Sequence, residues 1–454
     1  MRVKSLFNAV FEREFGLLVI LMVITALLVN KVLNARANGI GFWLVYGFII
    51  IIVYAIVFST AFLFYKDPAT RGRRLQSFSE DELPLVSCMV AVFNEEAYIT
   101  RCLDSMLAQS YQKKEVIVVN DASTDNTKAV LDEYQKDHPS LVVIHLEQNA
   151  GKKAALCRAM QEAKGSIFAH TDSDSRWEPQ AIGRIVRIFM NNPMVGAVSG
   201  HGRAHNASTN TFTKMQDAWM EGQFSVRKAF ESVFGSVSCV SGPLAVFRKE
   251  TIYNFLPAWE GDTFLGQPFR FATDRTMTGF VLGARWIHAK VLKKYAGSPF
   301  LETIYEPKKW KIVYCRSARS YTIVPDTFKR IIRQQTRWKK SFLRNIFQVG
   351  PFIWRKPLPV AINYYLHVIF VFFAPFVVIH VVFLSRQFFL AALLYYIFSV
   401  IVVGMLFALA LKFEDKECEH WFYRPLMSVF STLILSWLIF YAMATIRKMV
   451  WYRA

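Results

Sequence analysis

The chain has 454 residues, of which 53% are hydrophobic and only 19% charged, yet 54 Lys and Arg against 34 Asp and Glu give it a net charge of +20. This composition excludes a disordered protein, which needs low hydrophobicity and high charge density. It also argues against a single soluble domain and favours membrane segments joined to a basic soluble part. The six cysteines are scattered without a CxxC or Cys/His cluster, which indicates reduced thiols rather than a disulfide framework or a zinc site.

Charge-free apolar runs locate the membrane segments, because a helix needs about 20 apolar residues to cross the hydrocarbon core. They divide the chain into an N-terminal amphipathic segment with two transmembrane helices (1–66), a cytosolic domain (67–327), a basic interface region (328–356) and C-terminal transmembrane or interface segments (357–454). The runs themselves cover residues 15–30, 37–65, 357–385, 387–411 and 425–446. The sequence therefore predicts a multi-pass integral protein of the plasma or inner membrane, with the lipid bilayer as a partner.

Lys and Arg near the spans predict the orientation. Basic residues precede the first run and follow the second, at Lys66, Arg71, Arg73 and Arg74, so both flanks and the long block between them are expected in the cytoplasm. Three full crossings by the last three runs would place the basic C-terminus outside. A last run that is partly re-entrant or interfacial removes this conflict, and we expect that arrangement.

Residues 328–356 carry nine basic side chains and no acid, interleaved with apolar residues at near-helical spacing. This pattern predicts a basic amphipathic helix along an anionic headgroup surface. Most of the positive excess then needs no nucleic acid to account for it, and no nucleic-acid partner is expected.

The block between the second and third runs alternates apolar strands with helical stretches, which predicts a parallel α/β sheet with helices on both faces. The strands are expected at 85–93, 115–119, 141–145 and 166–170, and polar clusters follow three of them. Because ligands bind at the carboxyl ends of such strands, the sequence predicts a nucleotide-type pocket there. No GxxxxGK[ST] or GxGxxG motif is present, which makes a P-loop nucleotidase and a Rossmann dehydrogenase poor candidates.

Two carboxylates on a short loop, Asp172 and Asp174, follow the fourth strand and suit Mg²⁺ or Mn²⁺ bridging a diphosphate. Lys152 and Lys153 can supply cations to the same ligand. An isolated Asp-x-Asp is more often a solvated turn, and an isolated lysine pair is more often on the surface. The position of Asp172 and Asp174 after a buried strand is what favours a metal site.

Three later clusters complete the set of candidates. Ser241-Gly242-Pro243 is a small-residue turn, which by itself more often has a structural role. Asp274, followed by Arg275, lies in an apolar stretch and could act as a general base. Gln334-x-x-Arg337-Trp338 combines a guanidinium that can grip a diphosphate with an indole that can stack on a sugar.

In this order, with Asn94-Glu95 and Asp121 at the earlier strand ends, the motifs resemble those of processive family 2 glycosyltransferases. The similarity is greatest to hyaluronan synthases and the related chitin-oligosaccharide synthases of nodulating bacteria, and it covers about residues 85–350. VSGPLAVFRKE, TFLGQPFRFATDRTMT and RQQTRWKKSFLRN carry it beyond the motif letters. The resemblance implies a GT-A (Rossmann-like) cytosolic domain embedded in an α-helical transmembrane bundle with amphipathic interface helices. It also implies inverting transfer from UDP-sugars, and passage of the growing polysaccharide across the membrane.

The resemblance also implies a role for each candidate residue. Asp274 would be the catalytic base and Asp174 the metal ligand. The donor would be bound by Val92, Phe93, Asn94, Glu95, Asp121, Lys152, Lys153, Asp172 and Arg337. The acceptor and channel would be lined by Ser241, Gly242, Pro243, Arg275, Gln334 and Trp338. A C-terminal gating loop would be represented by Trp451 and Arg453.

Departures from the family pattern leave the polymer open. Ala272-Thr273 replaces the usual Gly-Asp before the Asp-Arg pair, Lys153 replaces an arginine, and residues 283–321 look like a basic insertion. UDP-GlcNAc with UDP-GlcA, giving hyaluronan, and UDP-GlcNAc alone, giving a chitin-like polymer or oligomer, both remain possible donors. A non-processive lipid-sugar transferase is a third alternative. A channel with a degenerate soluble domain is disfavoured because the apolar runs carry no Asp, Glu, Lys or Arg, and their two histidines, His367 and His380, are more often core residues than proton relays.

Overall fold

The structure is a computed structural model that describes residues 15–16, 18–33, 42–380, 389–414 and 418–448. Trp451, Arg453 and the N-terminal amphipathic segment before residue 15 lie outside the described residues. The strands are β1 (Val86–Val92), β2 (Lys114–Asn120), β3 (Leu141–His145), β4 (Ile167–Thr171), β5 (Arg176–Trp177), β6 (Val195–Ala204), β7 (Ala245–Arg248), β8 (Thr263–Phe264), β9 (Gln267–Pro268) and β10 (Lys311–Thr322).

Helices fill most of the intervals between strands and build the segments at both ends. In chain order they are α1 (Leu18–Leu33), α2 (Phe42–Phe64), α3 (Ile99–Leu107), α4 (Thr127–Asp137), α5 (Lys152–Glu162), α6 (Ala181–Asn191), α7 (Thr211–Gly222), α8 (Ala229–Val233), α9 (Lys249–Ile252), α10 (Leu256–Glu260), α11 (Thr273–Lys294), α12 (Phe328–Ile353), α13 (Leu358–Ile379), α14 (Phe389–Glu414), α15 (Arg424–Leu433) and α16 (Leu438–Ala444).

Eight strands form one twisted sheet in the order β3-β2-β1-β4-β7-β6-β10-β5. The four predicted strands are parallel neighbours, as expected, and their ends differ from the prediction by at most one residue. Beyond these four strands the sheet is mixed, because β7 runs antiparallel to both β4 and β6. This reversal brings the start of β7 to the same edge as the end of β4. The domain is a GT-A-like mixed α/β fold.

Strand β1 shows why the sheet lies in the interior. All seven of its residues are buried, as expected for an apolar run covered on both faces. Its side chains alternate between two cores. Cys88 and Val90 pack in the core that includes α3 and α6, while Met89 and Ala91 pack in the core that includes α5.

Regular structure accounts for most of the basic stretch 283–321. Its first part continues α11 as far as Lys294, and its last part is β10, which pairs with β6 along most of its length and with the short edge strand β5 near its end. Only the residues between these two elements form a connection. Strand β10 buries the apolar residues Ile312, Val313 and Tyr314, so the end of this basic stretch belongs to the core of the domain.

Three helices are long and apolar enough to cross a membrane, at Val45–Thr70, Leu358–Ile379 and Leu393–Phe413. The helices at Trp421–Leu433 and Leu435–Ala444 meet at a 45° bend, which fits either one broken span or a re-entrant loop, so the partly re-entrant last run stays a prediction. The first predicted run forms a shorter apolar helix, α1. The chain is thus an integral membrane protein by the length and composition of its helices.

Direct hydrogen bonds join the α/β domain to the end of α2. The Tyr65 hydroxyl donates to the backbone carbonyl of Tyr314 at 3.1 Å, and their rings stack with centroids 5.4 Å apart. Two residues later the Asp67 carboxylate accepts from the Ser317 backbone N–H at 2.7 Å. Strand β10 is therefore fixed to the membrane helix that precedes the domain.

Helix α12 confirms the helix predicted from the basic segment, but several of its basic side chains face protein. Lys340 is buried and its Nζ donates to the Lys448 carbonyl at 2.7 Å. Arg344 is 14% exposed and pairs with Asp262. The prediction of a helix lying only on headgroups is wrong for these positions, because the amphipathic pattern also matches packing against α11 and α16.

Candidate active site

The first part of the site is the junction between the loops after β1 and β2. Asn94 has a left-handed backbone (φ +55°), and its Oδ1 accepts from the Thr124 N–H at 2.8 Å. The Glu95 N–H donates to Thr127 Oγ1 at 2.9 Å. Val92 is buried as the last residue of β1, and the Phe93 ring is 41% exposed. The two loops therefore form one surface with an exposed aromatic ring.

Asp121 shapes the entry to α5. Its carboxylate accepts from the backbone N–H groups of Ala150 at 2.7 Å and Gly151 at 2.9 Å. Burial raises the pKa of Asp121, while these two N–H groups act in the opposite direction. Gly151 takes φ +90°, a conformation that favours glycine, and α5 begins at the next residue. The loop thus delivers Lys152 to the carboxyl edge of the sheet.

Asp172 lies at the end of β4, where it forms an ion pair with Lys152. Burial opposes ionisation, but the Lys152 ammonium and the Arg337 guanidinium hold the pKa of Asp172 below its usual range. Gly242 approaches the same carboxylate so closely that a Cβ at that position would lie 2.7 Å from Asp172 Oδ2. A side chain at position 242 would therefore force the Asp172 carboxylate to shift.

Asp174 differs from Asp172 in its partners. Thr322 Oγ1 donates to it at 3.1 Å and Ser175 Oγ at 3.3 Å. Burial and the nearby Asp172 raise the pKa of Asp174 to about 6. Among the described residues no three His, Cys, Asp or Glu side chains form a metal-binding group, so a cation here would need further oxygen ligands from a substrate.

The turn Ser241-Gly242-Pro243 is held from several sides. Lys228, which ends a short π-helical segment after α7, donates to Ser199 Oγ at 2.8 Å and to Ser241 Oγ at 2.5 Å. The Pro243 carbonyl accepts from Thr171 Oγ1 at 2.9 Å and from Trp177 Nε1 at 2.8 Å. The turn is therefore a fixed wall of the site beside Asp172.

Asp274 lies in the first turn of α11, where the helix dipole favours a negative charge. Its Oδ1 accepts from the Arg275 N–H at 2.8 Å, and Cys239 Sγ lies 3.3 Å from its Oδ2. Ala272, immediately before the helix, has a left-handed backbone (φ +59°). The position where the family pattern has glycine thus takes, in this chain, a backbone conformation that favours glycine.

Helix α12 closes the site with Arg337 and Trp338. Burial lowers the pKa of the Arg337 guanidinium, and the carboxylates of Asp172, Asp174 and Asp274 oppose the shift. One guanidinium is therefore close to all three acids. Trp338 stacks on Trp219 of α7 with ring centroids 5.6 Å apart.

The other α12 candidate, Gln334, is buried one turn before Arg337 and Trp338. Within the described residues its Oε1 has no hydrogen-bond partner. This amide is therefore placed at the same end of α12 as the guanidinium and the indole.

Lys153 is the candidate whose surroundings differ most from the expectation. Its Nζ donates to Asp262 Oδ2 at 2.9 Å and to the Phe269 carbonyl at 2.9 Å, and the residue is 5% exposed. Its charge is thus paired with Asp262 inside the protein, and of the two lysines only Lys152 pairs with the acids after β4.

The structure brings the acids Asp121, Asp172, Asp174 and Asp274 and their neighbours to one edge of the sheet, while Trp451 and Arg453 lie outside the described residues. It also adds residues that sequence reasoning missed. These are Thr171, Trp177, Ser199, Trp219, Lys228, Cys239, Asp262, Thr322 and Arg344. Two of them carried a local signal, because Thr171 directly precedes Asp172 at a strand end and Cys239 lies two residues before the Ser241-Gly242-Pro243 turn. The others come from elements that no local pattern connects to the site.

Comparison with known proteins agrees with this geometry. Residues 87–255 match the family described as glycosyl transferase family 2. Residues 87–255 are a family 2 glycosyltransferase domain. The match includes the carboxyl ends of β1, β2 and β4 and the turn at Ser241-Gly242-Pro243.

Two groups of enzymes are related to the chain that contains this family 2 domain. A hyaluronan synthase of Streptococcus pyogenes is 30% identical over 266 residues, which is 57% of each chain. An N-acetylglucosaminyltransferase of Azorhizobium caulinodans is 31% identical over 272 residues, covering 58% of this chain and 62% of that one. The matched region is thus less than two thirds of each relative's length.

A solved structure of a mannosyltransferase from Pyrobaculum calidifontis, in complex with GDP-Man and Mn²⁺, is similar to this chain with a TM-score of 0.48 and 21% identity. The match covers 85% of this chain and 98% of the mannosyltransferase chain.

Proposed function

We propose that the protein is a membrane-embedded, processive, inverting β-glycosyltransferase that polymerises UDP-sugars and passes the polysaccharide across the membrane. The observation that carries the proposal is the convergence of Asp172, Asp174, Asp274 and Arg337 beside the Ser241-Gly242-Pro243 turn. It combines a candidate base with cations for a leaving diphosphate on a family 2 domain. The activity that we propose first is that of a hyaluronan synthase, with UDP-GlcNAc and UDP-GlcA as donors.

In this proposal each group acts where charge changes during transfer. Asp274 takes the proton from the acceptor hydroxyl as that oxygen attacks the anomeric carbon, which inverts an α-linked donor to a β-linked product. Negative charge grows on the UDP leaving group, and Lys152 and Arg337 stabilise it through charge-assisted hydrogen bonds. Trp338 offers an aromatic surface for the terminal sugar.

A divalent cation fits the acids after β4. Asp172 and Asp174 supply hard carboxylate oxygens, the ligand type that Mg²⁺ and Mn²⁺ prefer, and the diphosphate would complete the ligand set. We assign Asp174 as the ligand. Burial and the neighbouring Asp172 destabilise its negative charge, which raises its pKa, and a bound cation would compensate that charge. When bound, the ion would neutralise charge on the diphosphate.

We further propose that the catalytic domain faces the cytosol. Lys66, Arg71, Arg73 and Arg74 follow the apolar helix α2, which ends at Phe64, and the positive-inside rule places such residues in the cytoplasm. UDP-sugars would be bound on that side, and the broken helix pair at the C-terminus would return the chain to it.

A chitin-like product from UDP-GlcNAc alone is the second candidate, because the N-acetylglucosaminyltransferase is as similar to the chain as the hyaluronan synthase is. Both are tested by UDP release from the purified protein in detergent with Mn²⁺ or Mg²⁺, supplying UDP-GlcNAc and UDP-GlcA singly and together. Polymer only with both donors identifies hyaluronan synthesis, and polymer with UDP-GlcNAc alone identifies the second candidate. Asp274→Asn is the inactive control, and absence of turnover with every donor set would refute the proposal.

A further inference from the structure

One face of α12 carries polar side chains along its length. Arg337, Arg344 and Gln348 are separated by seven and four residues, so they lie on the same side of the helix. Arg337 is the residue near the three acids of the site. Gln348 Nε2 donates to the Thr276 carbonyl in the first turns of α11 at 3.0 Å. This face of α12 therefore contacts the catalytic domain at successive points.

Arg344, between these two residues, is bound to Asp262. Its Nη2 and Nε donate to Asp262 Oδ1 at 2.5 and 3.2 Å, while Lys153 Nζ donates to Oδ2 at 2.9 Å. The side chains of Asp262, Lys153 and Arg344 are 2%, 6% and 14% exposed. One desolvated carboxylate thus joins cations from α5 and α12. Leaving a buried carboxylate unpaired would destabilise the protein, so Lys153 and Arg344 are both held next to Asp262.

Asp262 also anchors the segment that leads to the candidate base. Its carbonyl accepts from the Phe269 N–H at 2.8 Å, which closes the β8–β9 hairpin. Phe269, Phe271 and Ala272 then form a small apolar cluster. The chain enters α11 directly after this cluster. The position of the hairpin, of α5 and of α12 therefore depends on the same carboxylate.

We propose that Asp262 and Arg344 are positioning residues that fix α12 along its axis and thereby place Arg337 at the donor and Trp338 at the acceptor. Neither residue touches the acids of the site, so both act through the helix. The inference rests on the proposed function for its kinetic consequence. The mechanical part, that this ion pair holds α12 against the hairpin, is independent of the reaction.

Arg344→Gln is the sharpest test, because it cuts the link to α12 while the Lys153–Asp262 pair keeps its charge balance. We expect kcat for UDP release to fall about tenfold and the polymer to shorten, with Arg344→Lys restoring part of the rate. In an Arg337→Lys background, Arg344→Gln should lower kcat by less than about twofold, because both substitutions would act through the side chain at position 337. Arg330→Gln is the matched control, since Arg330 forms an exposed ion pair with Asp326 on the same helix.

Additive effects in the double variant, or a wild-type kcat and product length in Arg344→Gln, would overturn the positioning role. Hydrogen–deuterium exchange supplies a readout that needs no turnover. Arg344→Gln should speed exchange about tenfold in residues 263–271 and 338–350, with no change in Arg330→Gln. If the wild-type protein released no UDP, the proposed function would fail. Exchange rates unchanged by Arg344→Gln would then overturn the inference, and faster exchange would support its mechanical part.

Discussion

Replacing Lys228 with methionine tests whether a buried ammonium holds the Ser241-Gly242-Pro243 turn in place. The Lys228 Nζ donates to Ser199 and Ser241, and it lies 4.2 Å from the centre of the Phe224 ring. Methionine fills a similar volume but removes both hydrogen bonds. A hydrogen bond from a charged donor contributes about 1.5–3 kcal/mol. A loss of about 2 kcal/mol in the transition state would lower kcat about thirtyfold.

The same substitution should change the pH dependence of stability. Burial lowers the pKa of Lys228 from 10.5 to about 8, although Cys239, Asp274 and Glu231 oppose the shift and Arg275 adds to it. Between these pH values the unfolded chain keeps a proton that the folded chain has released, so the free energy of unfolding rises with pH. The difference of 10.5 − 8 units, at 1.36 kcal/mol each, is about 3 kcal/mol. Lys228→Met should lack this gain.

Two measurements check the reasoning, namely kcat for UDP release from pH 6.5 to 9.5 and thermal unfolding in detergent over the same range. The wild-type protein should lose rate above about pH 8, because a neutral amine is a weaker donor, while its stability increases. Lys228→Met should be slow and should lack both dependences. Lys249→Met is the control, since Lys249 packs on Tyr253 outside the site. A Lys228→Met protein with wild-type kcat and the wild-type pH profile would refute the argument.

Three further predictions concern the acids after β4. Gly242→Ala should lower kcat at least about a hundredfold, because its Cβ would displace the Asp172 carboxylate; Gly183→Ala, in a helix with room for a methyl group, should stay active and gain up to about 1 kcal/mol of stability. Lys152→Met should move the acidic limb of the UDP-release profile to higher pH, since the ammonium that lowers the pKa of Asp172 is gone; an unmoved limb would contradict the ion pair. Asp174→Asn should raise the Mn²⁺ concentration for half-maximal UDP release about tenfold or more, and EDTA should stop release in the wild type; activity insensitive to both would exclude the metal role.

The ends of the parallel strands could be located from the sequence because local physics determines them. A run such as 85–93 is apolar throughout, so it has to be buried on both faces, and polar residues mark where it emerges. Asn94, Asp121 and Asp172 could therefore be assigned to one edge of a sheet from the sequence alone. The same local reasoning found the membrane helices, because a charge-free apolar run of that length matches the thickness of the hydrocarbon core.

The sequence alone could not assign a partner to a buried charge. Lys152 and Lys153 are adjacent in the chain and look equivalent, yet successive positions on a helix point in different directions, so one meets Asp172 and the other Asp262. The antiparallel direction of β7 was equally hidden, because a four-residue strand carries no mark of its orientation.

Composition and periodicity thus determined the membrane helices, the parallel half of the sheet and most of the acids at its edge. Tertiary structure decided which of these acids pair with Lys152, how Lys228 and the glycine at 242 fix the acceptor turn, and how Arg344 holds α12. The physical reason is the separation along the chain of the residues that interact. Burial and hydrogen bonding within a strand or helix depend on neighbours in the chain, whereas the pairing of desolvated charges depends on residues 20 to 109 positions apart that only the folded chain brings together.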